Sequence, residues 1–212
     1  MNLDYISINT QSSIRLNLSK TIYFDPYKID KDYNDADIIF ITHNHYDHMD
    51  KESIMKVKND NTIIVAPKTM EDVIKEIDFK EYIFLNPFDE IDIDDIKIKT
   101  IPAYNLEKPF HPRSNNWLGY IITINNITYF VAGDTDATNE MEDIKTDIAF
   151  IPIGGHFTMD VNEAVEIIKK MKVNTVIPIH YGSIIGNITD GKDLKEKLSS
   201  TNINVVEKLE FN

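Results

Sequence analysis

The sequence predicts an α/β fold in which two β-sheets pack face to face with helices on the outer faces. Strand-like runs rich in Ile, Val, Tyr and Phe occur along the whole chain, and helical patterns are interspersed in both halves. The early part has the order of a strand meander, whereas the later part alternates strand and helix. With 212 residues, 42% of them apolar, the chain can bury one sizeable core, so we expect a single domain over residues 1–212.

The strands are predicted from short runs of β-branched and aromatic residues. These runs are Leu3–Ile8, Ile14–Leu18, Thr21–Phe24, Ile38–Thr42, Thr62–Ala66, Tyr82–Leu85, Ile96–Ile101, Leu118–Ile124, Ile127–Ala132, Asp147–Ile151, Thr175–Ile179 and Asn204–Glu207. The spacing of apolar residues and a capping pattern at Asp160 and Glu163 predict helices as well. The predicted helices are Lys51–Lys58, Thr69–Ile77, Asp160–Met171 and Gly191–Ser199.

The most informative local feature is a group of four metal-binding side chains within six residues, directly after the apolar run 37–42. His43 and His45 alternate along the chain, so both can face one cation while Asp47 and His48 face a second. Three of the six histidines lie in this window, which disfavours a polar loop that contains histidine by chance. The sequence therefore predicts a site for two divalent cations, which can share an activated water.

The chain contains no cysteine, so disulfides, thiolate metal sites and cysteine nucleophiles are excluded. Any metal must be held by nitrogen and oxygen atoms. Imidazole and carboxylate suit Zn²⁺, which is the default expectation here, with Mn²⁺ and Fe²⁺ as alternatives.

The remaining candidate ligands each stand just past an apolar strand. Asp25, Asn105, Asp134 and His180 all have this position. Rigid strands that end along one rim hold side chains at fixed separations, so we expect these residues near the site.

Four stretches together resemble the signatures of the metallo-β-lactamase superfamily. They are Thr42–His48 (Thr-His-Asn-His-Tyr-Asp-His), Gly133–Asp136, Ile177–Gly182 and Tyr23–Tyr27. The closest resemblance is to the compact single-domain metal-dependent hydrolases, including a lactonase-like branch. It implies a four-layer αβ/βα sandwich of two mixed β-sheets with a dinuclear site on their shared edge.

The resemblance also implies a role for each matching residue. One metal would be bound by His43 and His45, and Asp25 would orient ligands by hydrogen bonding. The second metal would be bound by Asp47, His48 and His180, with Asp134 bridging the pair.

One position departs from the family pattern, because Asn105 stands where many relatives have a histidine. Asparagine is a poor transition-metal ligand. Either water completes the first site, or another histidine fills the gap, for which His111 is preferred over His156.

A water activated by two divalent cations could attack a carbonyl or phosphoryl centre of the substrate. Asp47 would orient the attacking water or accept its proton, and His156, Tyr181 or His111 would protonate the leaving group. In the loop that follows Asn105, His111 and Arg113 are predicted to bind an anionic group of the substrate. The alternative for this loop is a solvated surface segment.

Charge and hydropathy limit the partners. The net charge of −13 disfavours a nucleic-acid surface, although bound cations leave room for a small anionic substrate. The first residues have no apolar stretch, and no run approaches the roughly 18 apolar residues of a membrane span. We expect a cytoplasmic protein without membrane partners; its oligomeric state is not predicted.

The predicted function is hydrolysis of a small ester, lactone or phosphodiester. The main alternative is a non-catalytic metal sensor on the same fold, which Asn105 favours. A di-iron oxygen-reducing or electron-transfer protein is disfavoured, since such relatives usually have a carboxylate at the position of His45 and a fused flavin domain.

Overall fold

A computed structural model describes residues 2–210 of the chain. Both ends of the predicted domain, residue 1 and residues 211–212, lie outside the described residues. The chain divides into two compact units, residues 2–85 with 209–210 and residues 86–208. The prediction of a single domain stays a prediction.

The first unit contains a six-stranded mixed sheet in the order β1-β2-β3-β4-β5-β6. The first three strands are antiparallel, and β3 to β6 are parallel, so the carboxyl ends of β3 and β4 meet at one edge. The strands are β1 (Ile6–Ile8), β2 (Ile14–Asn17), β3 (Thr21–Phe24), β4 (Ala36–Phe40), β5 (Lys58–Pro67) and β6 (Glu81–Leu85). Helices α1 (Lys51–Val57) and α2 (Glu71–Ile74) follow β4 and β5, and a 3₁₀ turn (Lys68–Met70) precedes α2.

Both faces of the central strand β4 are buried. Ile39 packs in one cluster with Ile54 of α1 and Ile74 of α2, whereas Ile38 and Phe40, on the other face, are also fully buried. A strand that is buried on both sides is apolar at consecutive positions, as this one is. The strand is therefore rigid up to the point where the histidine-rich loop begins.

The second unit contains a seven-stranded mixed sheet in the order β13-β12-β11-β10-β9-β8-β7. Strands β7 to β10 are antiparallel and β10 to β13 are parallel, so β10, β11 and β12 end at one edge. The strands are β7 (Glu90–Ile93), β8 (Ile96–Pro102), β9 (Leu118–Ile124), β10 (Ile127–Val131), β11 (Lys145–Pro152), β12 (Lys172–Ile179) and β13 (Asn204–Val205). The helices are α3 (Val161–Lys170) and α4 (Asp190–Leu198), with 3₁₀ turns at Arg113–Asn115 and Asn139–Met141.

The capping pattern at the start of α3 forms as predicted. The Asp160 side chain accepts from the backbone N–H of Asn162 and Glu163, and the Glu163 carboxylate accepts from the N–H of Asp160. Within residues 2–210, no helix has the length and apolar content needed to cross a bilayer.

The prediction of two sheets with interspersed helices is confirmed, with two local differences. Strand β7 was not predicted, because Glu90 and Asp92 are exposed on this edge strand and interrupt any apolar run. The helix predicted over Thr69–Ile77 is wrong in extent, since α2 covers only four residues. The apolar residues after α2 lie instead in turns with i→i+3 hydrogen bonds. In one of these turns, the N–H of Ile77 donates to the carbonyl of Ile74.

Candidate metal centre

In the first unit, Asp25 organises the start of the histidine-rich loop. Asp25 follows β3 and Thr42 follows β4, which places both at the same edge of the sheet. Oδ1 of Asp25 accepts from the N–H of Thr42 at 2.8 Å, and Oδ2 accepts from Thr42 Oγ1 and from His48 Nδ1, each at 2.7 Å. Burial raises the pKa of Asp25, against the lowering effect of His48 and Thr42. The backbone of Asp25 is left-handed (φ 45°), an uncommon conformation that the surrounding contacts hold.

These contacts assign the tautomers of two histidines. His48 donates its Nδ1 hydrogen to the Asp25 carboxylate, so its Nε2 presents a lone pair. Thr42 Oγ1 donates to Asp25 and therefore accepts from His43 Nδ1 at 2.9 Å, which leaves the lone pair of His43 on Nε2. That atom lies 3.1 Å from His45 Nδ1. The first unit thus gathers imidazole nitrogens in the form that binds metals.

Asp47 lies next to this histidine group. Its Oδ2 is 3.7 Å from Nε2 of His48, and it accepts a long hydrogen bond of 3.4 Å from Nε2 of Gln11. Asp47 and His48 offer ligand atoms within 4.8 Å of one another. Gln11 was not predicted, because it lies in the turn between β1 and β2, where no local pattern distinguishes it from a turn residue.

In the second unit, two histidines converge on Asp134. Oδ2 of Asp134 lies 3.3 Å from His111 Nε2 and 3.2 Å from His180 Nε2, and all three side chains are buried. Asp134 follows β10 by three residues and His180 directly follows β12, so the parallel strands deliver them to one edge. A carboxylate oxygen between two imidazole nitrogens is a donor set that suits divalent cations with nitrogen and oxygen ligands.

The backbone at His180 is held in an uncommon conformation. His180 has φ 56°, in the left-handed region that few non-glycine residues adopt. Gly154, in the loop after β11, approaches so closely that a Cβ there would overlap the carbonyl oxygen of His180. Only glycine allows this contact, which packs the loop against the end of β12 where His180 lies.

The loop after β8 and the loop after β11 place the two candidate histidines, His111 and His156, in different surroundings. His111 is 1% exposed and lies beside Asp134, whereas His156 is exposed and contacts the rings of Phe110 and Phe157. Burial beside Asp134 favours a ligand role for His111 over the substrate-binding role that the sequence suggested. The predicted acid role of His156 stays a prediction.

The two other predicted catalytic or binding residues have partners of their own. Arg113 Nη2 lies 2.7 Å from Glu140 Oε1, and the guanidinium stacks 4.8 Å from the ring centroid of Tyr104. The Tyr181 hydroxyl lies beside Gly191 of α4, and burial, with the nearby Glu207, raises the pKa of Tyr181 to about 12. Tyr181 is therefore a weak proton donor near neutral pH, and the substrate role of Arg113 stays a prediction.

Comparison with known proteins identifies relatives of this chain. The model of the beta-lactamase superfamily domain matches residues 5–181. The UPF0173 metal-dependent hydrolase of Thermoplasma acidophilum is 33% identical over 175 residues, covering 77% of each chain. The corresponding protein of Pyrococcus horikoshii is 33% identical over 181 residues, covering 78% of this chain and 79% of the relative.

A solved structure of a metal-dependent hydrolase from Parabacteroides distasonis superposes with a TM-score of 0.83 at 30% identity, covering 97% of this chain and 93% of that one. The predicted fold class and the prediction of a hydrolytic enzyme are confirmed by these relatives. The chain belongs to the beta-lactamase superfamily, as one of its metal-dependent hydrolases.

Proposed function

We propose that the protein hydrolyses a small ester, lactone or phosphodiester with the help of two divalent cations, zinc by default. The proposed ligands are His43, His45, Asp47 and His48 of the first unit and His111, Asp134 and His180 of the second. The observation that carries the proposal is the contact of one Asp134 oxygen with the Nε2 atoms of His111 and His180. A carboxylate oxygen beside two imidazole nitrogens would suit a ligand of a divalent cation.

The donor set fits such ions. In the first unit, acceptors on the far side of the rings hold hydrogen on Nδ1 of His43 and His48, so that Nε2 is the donor atom. Divalent cations bound there would lower the pKa of a coordinated water towards neutrality and polarise the carbonyl or phosphoryl oxygen under attack.

The side chains of the protein supply the proton transfers and the orientation. Asp47 accepts the proton of the attacking water, and Gln11 donates to Asp47 Oδ2 and so limits its rotation. His156 is the proposed donor to the leaving group, since its imidazole is exposed to solvent. Tyr181 is the poorer candidate, because burial raises its pKa to about 12.

The charge of the chain bears on the proposed anionic substrate. The chain carries a net charge of −13, so an anionic substrate depends on local cations and on basic groups such as Arg113. Arg113 already pairs with Glu140, and a substrate carboxylate or phosphate would have to compete for it. A cytoplasmic location is also part of this proposal.

The test combines metal analysis with a substrate panel. The purified protein is stripped with a chelator, and its metal content and its activity on nitrophenyl esters, lactones and phosphodiesters are measured before and after Zn²⁺, Mn²⁺ or Fe²⁺ is added. We expect activity to return with metal. We expect His45→Ala and Asp47→Ala to abolish it with near-native circular dichroism.

The matched control is Tyr46→Phe, which changes an exposed ring in the same loop and should retain activity. Full activity in the metal-free protein would refute the proposal. Stoichiometric metal binding without turnover of any substrate would instead favour the metal sensor.

A further inference from the structure

Asn105, where the family pattern has a histidine, uses its side chain to hold a different histidine. Its Nδ2 donates to Asp136 Oδ1 at 3.0 Å and to the carbonyl of Phe157 at 2.9 Å. Its Oδ1 accepts from the backbone N–H of His111 at 3.0 Å. Asn105 is only 6% exposed, so these bonds form away from solvent.

These partners fix the orientation of the Asn105 amide. The nitrogen faces a carboxylate and a carbonyl, which only accept, and the oxygen faces a backbone N–H, which only donates. If the amide were turned over, its oxygen would face two acceptors and its nitrogen would face a donor, so all three hydrogen bonds would be lost. The atom that lies 2.9 Å from His111 Nδ1 is therefore an oxygen, and it can only accept.

The tautomer of His111 follows from this orientation. Nδ1 of His111 must carry a hydrogen to donate to Asn105 Oδ1, so in the neutral ring Nε2 presents the lone pair. That Nε2 is the atom that lies 3.3 Å from Asp134 Oδ2. Asn105 thus directs the donor nitrogen of His111 towards Asp134.

Asp136 anchors the loop that connects the two residues. Its carboxylate accepts from Asn105 Nδ2, from the N–H of Leu106 at 2.9 Å and from Lys108 Nζ at 2.7 Å. Lys108 also donates to the carbonyl of Thr158 at 2.7 Å. Asp136 lies two residues after Asp134, so one short segment holds both the Asp134 carboxylate and the support of the loop.

We propose that Asn105 is a positioning residue that fixes the Nδ1–H tautomer and the ring pose of His111, and thereby makes His111 the metal ligand that position 105 lacks. The inference rests on the proposed function for the role of His111. A neutral amide can orient the ring without adding a further negative charge beside Asp134 and Asp136.

The first experiment reads the tautomer directly in the wild-type protein. Long-range ¹H–¹⁵N correlation spectra of metal-free, histidine-labelled protein are recorded at about pH 8, above the usual histidine pKa of about 6.5. The His111 resonances are assigned by their loss in His111→Gln. We expect hydrogen on Nδ1 and an unprotonated Nε2. The opposite tautomer, or a mixture of both, would overturn the proposal.

The second experiment measures the consequence for metal binding. Asn105→Leu keeps the size and removes the amide, so we expect a mixed His111 tautomer and zinc affinity at one site weaker by about 10- to 100-fold. Asn105→Asp keeps an acceptor beside His111 Nδ1 and should keep the Nδ1–H tautomer, while its contact with the Asp136 carboxylate should lower the free energy of unfolding. Lys108→Met, the matched control, removes another partner of Asp136 and should leave the tautomer unchanged.

Wild-type zinc affinity in a folded Asn105→Leu variant would contradict the proposal. If that variant does not fold, the His111 tautomer in the wild-type and Asn105→Asp spectra still tests the proposal. Failure to bind zinc or to hydrolyse any substrate of the panel would refute the proposed function. The spectrum needs neither metal nor substrate, so the tautomer of His111 would still test the role of Asn105.

Discussion

His48 donates its Nδ1 hydrogen to Asp25 Oδ2 across 2.7 Å, with both side chains fully buried. In the second unit, His111 makes the corresponding bond to Asn105 Oδ1 at 2.9 Å. An imidazole is oriented by a carboxylate in one case and by an amide in the other. Both partners stand just past a strand end, where the sheet holds the side chain that orients the imidazole.

Asp25→Asn tests the carboxylate version of this contact. The amide can still accept from His48, but its Nδ2 would face a donor at Thr42, and the ring loses its charged partner. We expect zinc affinity to fall by about 10- to 100-fold, measured by competition with a chelator, with near-native circular dichroism. Asp37→Asn alters an exposed carboxylate on β4 and should bind zinc as wild type does; equal affinity in both variants would contradict the role of Asp25.

Metal binding should also stabilise the fold. An ion that binds only the folded state at about 100 times its dissociation constant adds about 2.7 kcal/mol to the free energy of unfolding. We expect this difference between urea melts with zinc and with chelator, and we expect Asp134→Ala to remove most of it. Asp143→Ala, at an exposed position, should retain the difference. A zinc effect that survives in Asp134→Ala would show that the ion binds elsewhere.

The histidine-rich loop and the strand-end residues were predictable because their positions follow from local sequence. A buried strand such as β4 is visible as an apolar run, and the residues after it must lie at the sheet edge. His111 was harder to place, since it lies nine residues beyond β8. Its position depends on Asn105, which hydrogen-bonds both His111 and Asp136, and Asp136 lies far along the chain, so no periodicity encodes this contact.

Alkaline pH should destabilise the protein partly through Tyr181. Burial raises its pKa to about 12 in the folded state, whereas an unfolded tyrosine has a pKa of about 10. Below about pH 10 the hydroxyl is protonated in both states, and its contribution is fully present; between about pH 10 and 12 only the unfolded chain loses the proton, so stability falls. We expect Tyr181→Phe to lose less stability than wild type between about pH 9 and 11 in urea melts. Equal losses would contradict the raised pKa.

Because Tyr181 packs against α4, we expect a Gly-to-Ala change in this helix to destabilise the protein, the opposite of what helix propensity predicts. Alanine is ordinarily favoured over glycine within a helix by about 1 kcal/mol. At Gly191, however, an added Cβ would overlap the Tyr181 hydroxyl, and the ring is 1% exposed and cannot turn aside. We expect Gly191→Ala to lower the free energy of unfolding by about 1–3 kcal/mol.

A double-mutant cycle separates this overlap from other effects of the substitution. Tyr181→Phe removes the hydroxyl oxygen but leaves the ring carbon Cζ, which lies 2.9 Å from the Cβ position at residue 191. Gly191→Ala should therefore cost less when it is combined with Tyr181→Phe, with a coupling energy of about 0.5–3 kcal/mol between the two sites. If Gly191→Ala stabilises the protein, or if the effects of the two changes are additive, α4 shifts to accommodate the methyl group. The requirement for glycine at position 191 would then not come from Tyr181.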